Sequence, residues 1–317
     1  MSIIFALDSI LSHKGANMQI VVTGATGLIG SKISEELKAL GHNVQAYSFP
    51  RPPHGATEPE DWHKLRPVFD HKLFESADAV FNLAGENIKG VWTKRKKAQV
   101  IYSRSIPQAW VAEAMAAKPG EKGVLLTASA TGYYGEQGEN EVTEATPNGS
   151  NFLATTTKDW EEATKPAQDA GVRVVIMRFG VVLSPNGGAL KVMKLPFQLG
   201  LGGAMGNGEQ WMPWISLPDA ASAALFCLRH DNISGPLNFV APQEVRNSEF
   251  TKILAKVLHR PAFIKVPSGV LKAMFGKMAD ETILSSCKAK PTKLEQEGFH
   301  FAHPTLGTAL RQMLRNR

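Results

Sequence analysis

Residues 18–41 read MQIVVTGATGLIGSKISEELKALG, and no other stretch of the chain restricts its fold as strongly. A short apolar run leads into a turn holding Gly24, Gly27 and Gly30. Leu28, Ile29, Ile33, Leu37 and Leu40 then recur at helical spacing until Gly41 ends the pattern. With NVQAYSF returning as a strand, this is a βαβ unit. Glycines let such a turn close tightly and bring backbone against a pyrophosphate, whose charge is favoured by the amides and dipole of the helix N-terminus. Gly24, Thr26, Gly27, Leu28, Ile29 and Gly30 are therefore the expected turn around a nucleotide cofactor.

The alternation continues. Apolar runs at residues 78–85 (DAVFNLAG), 123–130 (GVLLTASA), 173–183 (RVVIMRFGVVL) and 235–242 (GPLNFVAP) are mostly separated by helical patterns. Strands separated by helices predict an α/β fold with a doubly wound parallel sheet. Beyond residue 184 a Gly- and Pro-rich stretch, SPNGGALKVMKLPFQLGLGGAMGNGEQWMPWI, reads as a long loop serving a site. The last eighty or so residues read as helices with short strands, SEFTKILAKVLHR and then PAFIKVP. The expected organisation is an extension over 1–17, a nucleotide-binding domain over 18–184 joined by the strand near 235–242, and a smaller C-terminal α/β substrate lobe over 185–317. The first 17 residues resemble a secretory signal only superficially, because their n-region has no positive charge and Asp8 interrupts the apolar run.

Composition narrows the partners. No apolar run approaches the roughly 18 residues needed to span a bilayer, so no membrane partner is expected. A formal charge of +6 suits anionic small molecules without demanding nucleic acid. Cys227 and Cys287 lie far apart with no CxxC spacing, which fits a reducing cytoplasm and neither a disulfide framework nor zinc. His300 and His303 have no cysteine or carboxylate cluster beside them, so no metal is expected. The expected partner is a small-molecule substrate, phosphorylated metabolites above all, on a monomer or homodimer.

An acid at the end of the second strand would bind the adenosine ribose and favour NAD. This strand instead ends AYSFPR. Ser48 and Arg51 are candidates for holding a 2′-phosphate, which favours NADP(H) over NAD(H); the alternative is that Arg51 simply points to solvent.

At this point the chain resembles an extended short-chain dehydrogenase/reductase, with a Rossmann-type sheet. NLAGENI, SATGYYG, KDWE, RFGVVLSPNGGAL, PFQLGLGGAMGNGEQWMPWI and KPTKLEQEGF resemble, more narrowly, the atypical SDR39U1-like epimerase-family proteins. The resemblance runs from residue 18 almost to the C-terminus. It implies that Leu83, Ala84 and Gly85 lie along the cofactor, that Ala128 and Ser129 belong to the strand presenting a catalytic serine, and that Phe179 and Val181 lie in the segment closing over the nicotinamide. It also brings Arg104, and Gln99 on the same stretch, near the cofactor. Relatives usually carry an arginine where this chain has Phe49.

The resemblance also exposes a gap. Ordinary members use a Tyr as general acid/base, with a Lys one helical turn on. In NFLATTTKDWEEA these positions fall on Leu153 and Thr157, and none of the four tyrosines is followed four residues later by lysine. The remaining candidates are Ser129 to hold a substrate oxygen, Tyr133 or Tyr134 as proton donor, and Glu86 as a base or ribose ligand. Each tyrosine has a packing alternative. Trp211 and Trp214 are candidates for the substrate wall, with core packing as the other reading, and Asp219 is the expected cap of the helix after it. Two functions follow: an NADP-binding oxidoreductase or epimerase-like enzyme acting on a carbonyl or nucleotide-sugar substrate, or a non-catalytic NADP(H)-binding regulatory module.

Overall fold

A computed structural model describes residues 17–53 and 55–315. The expected N-terminal extension, all but Asn17, lies outside the described residues. Along the chain run β1 (Gln19–Thr23), α1 (Leu28–Ala39), β2 (Asn43–Tyr47), α2 (Pro59–His63), α3 (His71–Ser76), β3 (Ala79–Asn82), α4 (Lys94–Ala117) and β4 (Val124–Ala130). Then come β5 (Glu141–Val142), α5 (Phe152–Glu162), α6 (Lys165–Asp169), β6 (Arg173–Phe179), β7 (Val181–Ser184) and α7 (Gly188–Gln198). The last third holds β8 (Trp214–Ser216), α8 (Leu217–Arg229), β9 (Gly235–Phe239), α9 (Asn247–Leu258), α10 (Ser268–Phe275), β10 (Lys288–Ala289), α11 (Thr292–Gln296) and α12 (Leu306–Arg315).

Six strands pair in the order β2-β1-β3-β4-β6-β9, all parallel, which is the expected doubly wound sheet. An all-parallel sheet must be covered on both faces, so its strands are apolar on both. In β1 Ile20 and Val22 pack with Ile33 and Leu37 of α1 and Ala224 of α8. Val21 points the other way, into Phe74 of α3 and Trp110 of α4. Because β2 and β3 flank β1 on opposite sides, the strand order reverses there, and a crevice opens past the carboxyl ends of β1 and β3.

The expected strand over 173–183 is two strands. β6 stays in the sheet while β7 leaves it to pair with β8. The break falls at Gly180, where a Cβ would come within 2.7 Å of the Pro213 carbonyl oxygen. The stretch after residue 184 is not all loop either, because α7 forms with Pro196 inside it, at the cost of the hydrogen bond that position would donate to the Val192 carbonyl. Leu190 and Phe197 of α7 pack with Phe250 and Leu254 of α9 and Leu310 of α12, the core of the C-terminal region. PAFIKVP forms no strand, only a single parallel bridge between Met205 and Val266.

Asp219 is not the cap of α8. Ser216 holds that position and accepts from the Asp219 amide at 3.1 Å. The buried Asp219 carboxylate instead accepts from the amides of Ala302 and His303, at 2.8 and 3.0 Å, and so ties the C-terminal segment to the start of α8. Its hydrogen bond raises the pKa of the buried His303 ring, whose Nε2 also meets Gln312 at 2.9 Å.

A second buried charge joins the strand ends. Arg178 of β6, 3% exposed, donates to both carboxylate oxygens of Glu161 on α5, at 2.8 and 2.7 Å. It also donates to the Tyr134 hydroxyl at 3.0 Å, which in turn donates to Asn238 of β9 at 2.6 Å. One guanidinium thus joins β6 to α5 and to the turn after β4, and Tyr134 extends the link to β9.

Two outcomes follow for stability. Glu161→Ala leaves Arg178 buried and unpaired and is expected to cost about 3–5 kcal/mol, whereas Lys158→Ala, which breaks an exposed pair with Glu162, costs under about 1 kcal/mol; urea unfolding measures both. His303, with its raised folded pKa, contributes stability that is fully present below about pH 6.5 and is lost as pH rises through the folded value. Melting curves of the parent chain against pH should show that decline, and His303→Gln should remove it.

Candidate active site

Close backbone contacts build the glycine turn. Gly24 has φ of +65°, in the left-handed region, and a Cβ there would sit 2.8 Å from the Leu83 carbonyl oxygen. Gly27 donates to the Gly24 carbonyl at 2.9 Å, and a Cβ on Gly30 would lie 2.2 Å from that same oxygen. The turn delivers α1 with Gly27 as its cap, no side-chain cap hydrogen bond and no acid in the first turn. Its leading amides are therefore left to face an anion. Thr26 and Gly27 are exposed at this edge, while Leu28 and Ile29 are half-buried. A Cβ on Gly187 would approach Leu28 within 2.9 Å, so the turn between β7 and α7 rests on the glycine turn.

The loop after β3 forms the facing wall. Thr23 at the end of β1 accepts from the amides of Leu83 and Ala84, at 3.1 and 3.2 Å, and donates to Asn82 at 2.6 Å. Asn82 donates to Gln108 of α4 at 2.7 Å, and Thr127 of β4 donates to the same oxygen. Gly85 lies on Arg104: a Cβ at residue 85 would meet the guanidinium carbon at 3.1 Å. Arg104 donates to the carbonyls of Val100 and Glu86, at 3.0 and 2.9 Å, and lies 5.2 Å from the Trp160 ring. Burial pushes its pKa down to about 10. The Glu86 carboxylate binds Lys96 at 2.7 Å, and Gln99 is half-buried on the same helix.

Beyond β4 the geometry around the absent Tyr–Lys pair is as follows. Leu153 and Thr157 face Gly132, and the Thr157 hydroxyl is turned back onto the Leu153 carbonyl at 2.6 Å. Ser129 is 3% exposed, and its hydroxyl donates to Glu161. Tyr134 is fully buried, and burial pushes its phenol pKa well above the usual range. Tyr133 is half-buried with the Arg178 guanidinium stacked 3.6 Å from its ring centre. One group here had no signal in the sequence. The Glu281 carboxylate, half-buried, accepts from the Leu153 amide at 2.9 Å and so stands at the residue that replaces the family tyrosine.

A model of the NAD dependent epimerase/dehydratase family matches residues 20–240. The chain belongs to that family. A second model, described as a domain of unknown function (DUF1731), matches residues 266–313. Epimerase family protein Mb2239 of Mycobacterium bovis is 40% identical over 298 residues, covering 93% of this chain and 97% of its own. Among solved structures, human epimerase family protein SDR39U1 (isoform 2) with NADPH superposes with a TM-score of 0.84 at 33% identity, covering 94% of this chain and 99% of that one. A nucleoside-diphosphate sugar epimerase from Corynebacterium glutamicum gives 0.76 at 31% identity, covering 96% of this chain and 61% of that one.

In this epimerase-family chain the remaining candidates are dispersed. Ser48 and Arg51 are exposed just past β2, while Phe49 between them packs on Tyr47, with ring centres 5.3 Å apart. Ala128 and Phe179 are buried in the core on the α1 face of the sheet, and Val181 is half-buried where β7 pairs with Trp214. Trp211 donates to Glu139 at 3.1 Å and lies under Arg246 at 4.3 Å. Trp214 corrects the expectation of a substrate wall: it is 1% exposed, and its indole N–H is bonded to the Gln243 carbonyl at 2.9 Å. The apolar core takes its ring faces and the Gln243 carbonyl its polar edge.

The glycine contacts make a sharp prediction. Gly24→Ala must place a Cβ against the Leu83 carbonyl at a left-handed φ, and should lower stability by about 1–3 kcal/mol in urea unfolding. Gly41→Ala is the comparison: its φ is +85° but its surroundings are open, so it isolates the backbone strain from the clash.

Proposed function

We propose that this chain binds NADP(H) across the crevice and transfers a hydride at a carbonyl or carbinol carbon of a small substrate, a nucleotide-linked sugar being the class considered first. The observation that carries the reading is the uncapped N-terminus of α1 behind a turn in which Gly24 and Gly30 have no room for a side chain. The 33% identical human relative with NADPH supports the same reading. Gly24 to Gly30 would hold the pyrophosphate. Ser48 and Arg51, at a strand end without an acid, would take the 2′-phosphate, and Leu83 to Gly85 would lie along the dinucleotide. The nucleotide-binding part would span 18–184 with β9 added, the substrate lobe 185–317, in a reducing compartment such as the cytoplasm.

When bound, the nicotinamide supplies or accepts the hydride; the chain's own residues must manage the proton on the substrate oxygen. Glu281 is the group we assign to that role. It is held by the Leu153 amide at the place of the family tyrosine, and as a carboxylate it takes the proton of a carbinol on oxidation and returns it to oxygen on reduction. Tyr133 and Glu86 are the alternatives. Ser129 would have to leave Glu161 before it could hold a substrate oxygen.

A second reading, a non-catalytic NADP(H)-binding regulatory module, is favoured by those same placements. The hydroxyls of Ser129 and Thr157 are both satisfied within the protein, and Leu153 carries no proton to give.

Calorimetric titration separates cofactor binding from scaffold: NADPH should bind at least about tenfold more tightly than NADH, a difference of about 1.4 kcal/mol, and Arg51→Ala should narrow the gap. Equal binding would remove the 2′-phosphate assignment, and binding of neither would remove the reading. With a carbonyl substrate identified by loss of nicotinamide absorbance, Glu281→Gln should lower kcat by about 10²–10⁴-fold while NADPH affinity holds. An unchanged kcat would move the role to Tyr133 or Glu86. Failure of every carbonyl compound with NADPH bound would favour the regulatory module.

A further inference from the structure

Among the described residues, large apolar side chains that stand in solvent are concentrated in the C-terminal region. Val192, Leu195 and Leu199 repeat at helical spacing along the outer side of α7, opposite the buried Leu190 and Phe197. Val270 and Met274 form a second stripe on α10, whose Leu271 is buried. Phe263, between these helices in sequence, is 80% exposed, and the other five are between 46% and 66% exposed. The two stripes belong to adjoining segments. The Val266 amide donates to the Ala204 carbonyl and the Gly206 amide to the Val266 carbonyl, each at 2.9 Å. A Cβ on Gly203 would overlap the Ile264 carbonyl oxygen.

The charge around these side chains is mainly positive. From Thr251 to Ala279 there are six lysines and arginines and no aspartate or glutamate. Arg260, Lys265, Lys272 and Lys277 are exposed beside Phe263 and α10, and Lys191 is exposed beside Val192. Among the described residues Lys272 has an acidic neighbour, Asp280 at 2.8 Å. Protruding apolar side chains among cations describe an interfacial surface: the former enter the acyl boundary while lysines and arginines meet anionic headgroups.

We propose that this face of the C-terminal region docks on an anionic phospholipid surface. A second copy fits less well, since a two-fold interface would set the same cations against themselves. An acidic protein would match the charge but leaves unexplained why the apolar side chains project. No helix among the described residues is long and apolar enough to cross a membrane, and docking requires none. The lack of a spanning segment, on which the expectation of no membrane partner rests, bears on insertion and not on surface contact. The assignment is independent of the hydride-transfer reading.

The test is flotation of the full chain with vesicles of phosphatidylcholine alone and of phosphatidylcholine with phosphatidylglycerol. Flotation is expected with the anionic vesicles only and should weaken as salt is raised. Two double variants, Leu199→Glu with Phe263→Glu and Lys265→Glu with Lys272→Glu, should each lower partitioning by about tenfold or more, with circular dichroism and melting unchanged. No flotation of folded protein overturns the proposal, as does flotation that neither variant lowers. Sedimentation showing a dimer that the first variant dissociates, without flotation, assigns the face to a second copy. Binding to poly-glutamate but not to vesicles assigns it to an acidic protein.

Discussion

The desolvated guanidinium of Arg178 is the constraint from which much of this structure follows. A charge buried at the carboxyl end of a sheet strand is tolerable only when its donors are satisfied. Here Glu161 provides a two-pronged partner, Tyr134 a hydroxyl and Tyr133 a ring face. Meeting those requirements brings α5, β6 and the turn after β4 to one point, and Asn238 brings β9 to it. The carboxyl edge of the sheet is therefore a fixed frame, and what lies on it is placed by a network and not by single contacts.

The same network shapes the chemistry left at the site. Glu161 holds the Ser129 hydroxyl, so the residue in the family's serine position serves the frame. Two halves of the crevice then differ in kind. On the side proposed for the dinucleotide the glycine contacts and the Thr23 bridge to Leu83 and Ala84 specify backbone geometry. On the substrate side the arrangement comes from segments far apart in the chain, and Glu281 reaches the start of α5 from 128 residues away.

The parts of the fold that were legible are those written in local periodicity. Strand, glycine turn and helix over 18–41 need only near neighbours to be recognised, and β3, β4 and β9 appear where apolar runs end in turn residues. The candidate site was legible to the extent that its proposed residues sit at the ends of such elements, as Gly24 to Gly30 and Leu83 to Gly85 do. Where a run continued through Gly180 the reading joined two strands, because the reason for the break is the carbonyl of Pro213, thirty-three positions later. A Pro- and Gly-rich stretch similarly hid α7, whose stability comes from burying Leu190 and Phe197 against α9 and α12.

Sequence by itself determined the doubly wound sheet, the glycine turn and the loss of the Tyr–Lys pair, since each is a matter of residue type at a fixed local spacing. Only the tertiary structure decided which polar groups remain available: that Ser129 is held by Glu161, that Trp214 is core, that Ser216 and not Asp219 caps α8, and that Glu281 stands beside Leu153. Hydrogen-bond partners and burial are set by distances between segments remote in sequence, and spacing along one chain carries no record of them.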